Sequence, residues 1–290
     1  MRQDVEFLRV LGAIGVVWFH LGIAGHDIGY GGLVLFIALG AYFSINTTGG
    51  WSGSFLIRRA NRILVPWLFW VFVFGLINVL RGYVPFPKGN SPVAAVLIGP
   101  SVHLWYLPFA LVVAIVSGFL GGVLGSRMRL ALGLAIAGAG FLTVGLLRTE
   151  HSAMSYPYAQ YLHALPAVGL GWAMAGASGE RAGIRLLVLF TLALSILPGT
   201  VLNGYGTAYW IGLLLITPVL FPELIAVNFS VDRISRFMFG VYLVHPLFIP
   251  LARRLGLADS FIALPLTFGL SLGLVILIRR VAPQAGAKVT

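Results

Sequence analysis

Arg9 and His20 share one apolar run of this 290-residue chain, and two further arginines, Arg59 and Arg62, return after the next apolar run. An ionisable side chain inside hydrocarbon costs about 2.5–3.5 kcal/mol on translocon-insertion scales, so such groups persist where they bind or react with something. On an α-helix the interval from Arg9 to His20 is about three turns, some 16 Å, and leaves both side chains on almost the same face. His20 lies beyond the midpoint of its run, and a neutral imidazole there can accept a proton as a general base. Arg59 and Arg62, at i and i+3, share one face of a short helix entering the next run. Their guanidinium forks suit phosphate, which accepts two parallel charge-assisted bonds. The pattern describes a phosphate-bearing, nucleotide-like carrier held at the arginines, with a reactive group presented toward His20.

Plainer readings exist for each residue. A histidine in an apolar helix can be a structural group bonded to a neighbouring carbonyl, and arginines at helix ends can be positive-inside anchors, as Arg58 and Arg127 are taken to be. His103, Trp105 and Tyr106 open another apolar run, either as an interfacial aromatic belt or as an acceptor-side surface on which a sugar ring stacks. His245 before Pro246 reads as the mark of a kinked helix. Glu150, His151 and His163 have no ligand spacing that defines a metal site, and no metal is expected.

The elements that must position these groups are helices in a membrane. The chain is 59% hydrophobic and only 9% charged, which fits an integral membrane protein and no ordinary soluble domain. Apolar runs separated by short polar turns predict about ten transmembrane helices of the length that crosses roughly 30 Å of hydrocarbon. They fall at 7–23, 31–48, 64–81, 103–121, 130–147, 161–178, 184–199, 205–221, 237–251 and 260–279. The seventh and ninth are short enough to be tilted, broken or partly re-entrant. No small-residue cleavage site follows the first run, so it is expected to remain as a spanning helix.

An even number of spans puts both termini on one side, and basic residues choose the cytoplasm. Of the nineteen Lys and Arg residues, fourteen then fall inside: Arg2, Arg9, Arg58, Arg59, Arg62, Arg127, Arg129, Arg181, Arg185, Arg233, Arg236, Arg279, Arg280 and Lys288. Arg81, Lys88, Arg148, Arg253 and Arg254 fall outside. This topology accounts for the net charge of +11; the cations form no continuous stripe, and no nucleic-acid partner is expected. The absence of cysteine excludes disulfides, thiolate metal sites and an acyl-cysteine intermediate. The polar stretches at 47–63, 82–102 and 148–160 are too short to bury a core, which predicts one all-α membrane bundle. Glycines from Gly118 to Gly125 and from Gly133 to Gly145 suit close helix packing.

Several segments together resemble the membrane-bound acyltransferase-3 family. They are Glu6-Phe-Leu-Arg9 through His20, Gly31-Gly-Leu-Val-Leu-Phe36 leading to Gly40, and Phe55-Leu-Ile-Arg58-Arg59-Ala-Asn-Arg62-Ile63 with Pro66. His103-Leu-Trp-Tyr-Leu-Pro108 and Tyr242-Leu-Val-His245-Pro246 complete the set. The resemblance covers nearly the whole chain in order. It implies a ten-helix enzyme of the bacterial inner membrane that takes an acyl group, usually acetyl from cytoplasmic acetyl-CoA, and places it on a sugar hydroxyl of a surface or secreted glycan. Carried over by position, His20 matches the family's catalytic histidine, Arg9 its partner, and Arg59 and Arg62 the arginine pair associated with the acyl donor. Trp105 and Tyr106 are substrate-side candidates. Two departures stand out: Glu6 where members often have Asp, and Leu39 where they often have Ser, so no hydroxyl is assigned there.

The resemblance therefore divides the chain into an acyltransferase-3-like transmembrane domain over 1–280 and a short cytoplasmic tail over 281–290. The expected partners are acyl-CoA, a carbohydrate or glycolipid acceptor, membrane lipid, and a glycan-assembly or periplasmic protein that delivers the acceptor. Transfer from a thioester to an alcohol needs a base, an oxyanion stabiliser and a clamp for the carrier's phosphates. His20 can supply the first and the arginine pair the third; direct attack and an acetyl-histidine intermediate both remain open. Tyr106, Trp105 or a helix-break amide near Pro108 are candidates for the second. The competing class is a transporter or flippase for a phosphorylated lipid or sugar, with His20 relaying protons. No Asp or Glu falls inside the predicted spans, and no internal repeat is visible, both of which weigh against it. A purely structural membrane subunit would leave the buried cations unexplained.

Overall fold

The computed structural model describes residues 3–47, 52–86, 91–146, 156–177, 181–195, 205–220 and 230–290. Every regular element among them is helical. Among the described residues, four stretches are long and apolar enough to cross a membrane: His26–Ile45, Gly53–Leu80, Val102–Val123 and Ala263–Val281. The chain forms an all-α membrane protein and folds as two compact units.

The first unit comprises Met1–Phe36, Val201–Lys288 and Thr290. Its central element is α1 (Gln3–Leu21), which opens with Asp4 and Glu6 in the first turn, where carboxylates complement the helix dipole. It ends at Gly22, whose φ of 71° is the left-handed conformation that commonly closes a helix. Next comes α2 (His26–Ile45), and the division between units falls within it. The two helices approach through glycine: a Cβ on Gly15 would sit 2.9 Å from the Gly29 carbonyl oxygen, and one on Gly32 would sit 2.5 Å from that of Gly12. Gly31 and Gly212 similarly bring α2 against α9 (Tyr205–Leu220), where a Cβ would strike Ile211 or Val34.

The opposite side of α1 packs on α10 (Asp232–Ser235), α11 (Met238–Val244) and α13 (Ala263–Val281), and α12 (Ile249–Arg254) joins their shared core. Ala13, Val17 and Leu21 of α1 share a buried core with Met238, Val241, Ile249, Ala252 and Ala263. The ninth expected helix is indeed broken: α11 stops at Val244 and the 3-10 turn His245–Leu247 precedes α12. The segment 281–290 holds the short helix α14 (Pro283–Val289), whose Gly286 lies against Ile278 and Arg279.

The second unit comprises Ile37–Thr200 and Val289. Its helix α3 (Gly53–Leu80) is capped by the Ser52 hydroxyl, which accepts from the Phe55 amide. Its 28 residues extend about 42 Å, longer than the hydrocarbon layer. The short arginine-bearing helix and the third run are thus one continuous element. Pro66 within it withholds only the N–H that the Arg62 carbonyl would accept. The rest is α4 (Pro92–Ile98), α5 (Tyr106–Val123), α6 (Ser126–Leu146), α7 (Tyr158–Ala177) and α8 (Arg181–Ser195). Helices α6 and α7 run against each other through Gly133, Gly169 and Gly176, with facing backbone where a Cβ would stand. Gly118 and Gly121 also make close approaches, to Phe55 and the Ile45 carbonyl, whereas Gly122 and Gly125 face open space.

Filling a close approach should force the helices apart. Gly15→Ala and Gly169→Ala are expected to lose about 1–3 kcal/mol of stability, the usual cost of overpacking. Gly122→Ala, with nothing within 4 Å of its new methyl, should hold its thermal midpoint in detergent or raise it. Equal midpoints for all three variants would remove the packing role.

Candidate active site

Two clusters of polar side chains lie at the two ends of α1. Near its N-terminal end Glu6 is only 4% exposed, an arrangement that requires its carboxylate to be fully engaged. One oxygen accepts from Arg9 Nη1 at 2.7 Å and the other from the Ser235 hydroxyl at 2.6 Å. Beside it the Gln3 side chain donates to Asp232 at 2.9 Å and accepts from the Val231 amide at 3.2 Å. Helix α10 therefore anchors the start of α1, and Glu6 fixes Arg9 while leaving 41% of its side chain exposed.

His20 stands in the last turn of α1 and is half-buried. Its Nδ1 lies 2.9 Å from the Val16 carbonyl oxygen. A carbonyl only accepts, so the ring proton is on Nδ1 and the lone pair of the neutral ring is on Nε2. Phe19 meets His20 edge-on, with centroids 5.3 Å apart, and also contacts Tyr30 at 5.1 Å and His26 at 6.2 Å. On its other side the His20 ring meets His245, with centroids 4.9 Å apart and planes at 54°. His245 is 0% exposed, donates from Nδ1 to the Tyr242 carbonyl at 2.7 Å and lies 6.1 Å from the Tyr242 ring.

The remaining sequence candidates belong to the second unit. Arg59 and Arg62 occupy adjacent turns of α3; Arg59 is half-buried with its guanidinium 5.5 Å from the Phe55 ring, and Arg62 is exposed. The two cations repel each other, and among the described residues no carboxylate forms an ion pair with either. An anion is the natural complement of that arrangement. Trp105 is 6% exposed and packs with Phe109 and Tyr161 at 5.7 and 5.9 Å, while Tyr106 meets it edge-on at 6.1 Å. His103 is buried and shares a hydrogen bond with the Ser101 hydroxyl at 2.9 Å. His163 is half-buried on α7, Leu39 is buried, and Glu150 with His151 lies outside the described residues.

Within the first unit the structure keeps Arg9 and His20 on one helix, as their spacing implies, and adds partners that spacing does not reveal. Ser235 carries no sequence signal beyond being a small polar residue near a short helix. His245 does carry one, since it follows Tyr242-Leu-Val in the segment that helped identify the family, but only the fold puts it against His20.

The buried carboxylate gives a direct test of the Arg9 support. Ser235→Ala removes one of the bonds to Glu6 and should lower stability by about 1–3 kcal/mol, the cost of a buried polar atom left without its partner. Ser230→Ala, which removes a hydroxyl from an exposed residue, should leave the thermal midpoint unchanged. Equal midpoints for both would deny the Glu6–Ser235 bond its role.

Comparisons with curated proteins and with solved structures return no match. The family model described as an acyltransferase domain matches residues 2–280, a span that takes in Arg9, His20, Arg59, Arg62 and His245. The chain belongs to the acyltransferase-3 family and is a membrane acyltransferase.

Proposed function

We propose that the protein is a multi-pass O-acyltransferase of the bacterial inner membrane. It moves an acyl group, acetyl in the simplest case, from cytoplasmic acyl-CoA to a hydroxyl of a carbohydrate such as an exopolysaccharide, O-antigen or lipid-linked sugar. The observation that carries this reading is the His20 tautomer in a chain of the acyltransferase-3 family: Nδ1–H is committed to the Val16 carbonyl, and Nε2 is the basic atom.

In the proposed reaction Nε2 takes the proton of the acceptor hydroxyl as its oxygen attacks the thioester carbonyl carbon. The carbon–sulfur bond then breaks, and the imidazolium returns the proton to the leaving thiolate. Arg59 and Arg62 bind phosphates of the donor, supported by their lack of a carboxylate partner among the described residues. Arg9, held by Glu6, supplies a fixed positive charge on the helix that carries the base. Trp105 and Tyr106 are assigned to the acceptor side, with the half-buried Tyr106 nearer the sugar and the buried Trp105 ring packed behind it. Membership of an acyltransferase family disfavours the transporter or flippase reading.

The proposed topology has about ten spans with both termini in the cytoplasm, and the lack of native cysteine makes it simple to test. Single cysteines introduced at Arg127 and Arg233 should be shielded from a membrane-impermeant maleimide in intact cells, and one at Arg254 should be labelled; the reverse pattern would overturn the orientation. For the chemistry, membranes with matched amounts of folded protein are given labelled acetyl-CoA and the cell's own glycan. His20→Ala should lower transfer by roughly 10²–10⁴-fold, the usual contribution of a general base. Arg59→Ala and Arg62→Ala should weaken CoA binding by about tenfold each, as loss of a charge-assisted bond to phosphate implies. Undiminished label on the glycan with His20→Ala would sink the catalytic assignment, and undiminished CoA affinity in both arginine variants would remove their role.

A further inference from the structure

The Tyr242 carbonyl stands four residues before Pro246. In a continuing helix it would accept the N–H of residue 246, and proline has none. Helix α11 stops at Val244, and the His245 side chain supplies the missing donor, its Nδ1–H reaching the Tyr242 oxygen at 2.7 Å. That bond fixes the His245 tautomer and puts the lone pair of the neutral ring on Nε2. His20 is fixed in the same tautomer by Val16. Two imidazoles, each locked by its own helix, thus meet with ring centroids 4.9 Å apart.

His245 is 0% exposed, so it acts through its neighbour and not on substrate. When His20 takes a proton its ring becomes a cation, and a cation against a neutral aromatic ring is stabilised, more so where water is excluded. A buried ring on the flank of His20 also limits its side-chain rotation, which keeps Nε2 aimed consistently. We propose that His245 is a positioning residue: locked by Pro246, it holds the His20 ring and supports the positive charge that His20 acquires during acyl transfer. This rests on the reading of His20 as the base. The reading of His245 as a kink marker is thereby extended, because the break in the helix is what dedicates this imidazole to one orientation.

A purely structural role, satisfying the Tyr242 carbonyl, is separable from this one. His245→Ala removes both the ring and the donor to the Tyr242 carbonyl. The double variant His245→Ala with Pro246→Ala returns an N–H to the Tyr242 carbonyl while still lacking a ring beside His20. Both are compared with wild type as full-length protein, with thermal midpoints as the check on folding. One readout is kcat and donor KM for transfer of labelled acetyl from acetyl-CoA to native membrane glycan. The other is the rate at which diethyl pyrocarbonate modifies His20, resolved by mass spectrometry of the digest. In that reaction Nε2 bonds to the reagent's carbonyl carbon, ethyl carbonate leaves and decomposes to carbon dioxide and ethanol, and Nδ1 then releases its proton. The ring is transiently cationic, as in the proposed catalysis, and no acceptor is needed.

Both variants should lose roughly 10- to 100-fold in kcat with donor KM unchanged. Modification of His20 should slow by about tenfold in both, the equivalent of one acid–base unit of charge support. Recovery of the double variant to within about twofold of wild type would overturn the proposal, since the carbonyl bond alone would then suffice. So would an unchanged or faster modification of His20 in either variant. Should the single variant fail to fold, the double variant alone decides through both readouts. Full glycan transfer by His20→Ala would instead defeat the function proposed above, and the modification rates would still report on the histidine pair.

Discussion

A carbonyl or amide in hydrocarbon has no water to turn to, and the organisation of the candidate site follows from that constraint. Helices meet most of the demand through their own ladders. The exceptions occur at a helix break, and here the break occurs beside His20. Proline at 246 strands the Tyr242 carbonyl, a histidine answers it, and the histidine's ring then has only one orientation available. Satisfaction of the backbone and orientation of the imidazole beside His20 are in this way the same structural event. A similar economy holds at the other end of α1, where one buried carboxylate supports Arg9 and fastens α10 to the helix.

Close packing supplies the rigidity that these bonds need. Lipid tails are as apolar as leucine, so helices in a membrane gain little from hiding apolar surface from lipid, and association depends on how closely backbones approach. Gly12 and Gly15 on α1 face Gly29 and Gly32 on α2 so closely that no side chain fits between them. The wall that carries Arg9 and His20 is consequently pressed against a second helix along one side and a shared apolar core along the other. A side chain mounted on such a wall loses little orientation to thermal motion, which suits the role of base that we propose for His20.

Helix positions were legible where apolar runs ended in glycine or charge, as with α1, α2 and α13. The start of α3 was harder to read, because its arginine-bearing portion is polar enough to look like a separate element, although the backbone continues through it. Pro66 did not break the helix, since it deprives only one carbonyl of a donor. The seam between α1 and α2 was not read from the sequence: the glycines were visible, but nothing in one chain says which glycine faces which. Arg9, His20, Arg59 and Arg62 stood out because charge is costly in hydrocarbon. Ser235 did not, and His245 stood out only as the mark of a kink, because their contacts are with residues far away in the chain. Trp105 illustrates a different limit: aromatic residues at the start of an apolar run suggest an interface, yet its ring is packed into a cluster with Phe109 and Tyr161.

The bond between Glu6 and Ser235 joins residues 229 positions apart, and Gln3 with Asp232 repeats that separation. Synthesis runs from N- to C-terminus, so α1 leaves the ribosome well before Ser235, whose hydroxyl completes the shell around Glu6. Until then α1 holds the Glu6 carboxylate and the Arg9 guanidinium paired with each other alone. Assembly is therefore ordered: the helix that bears His20 is made well before α10, and its charged foot is secured only when α10 has followed.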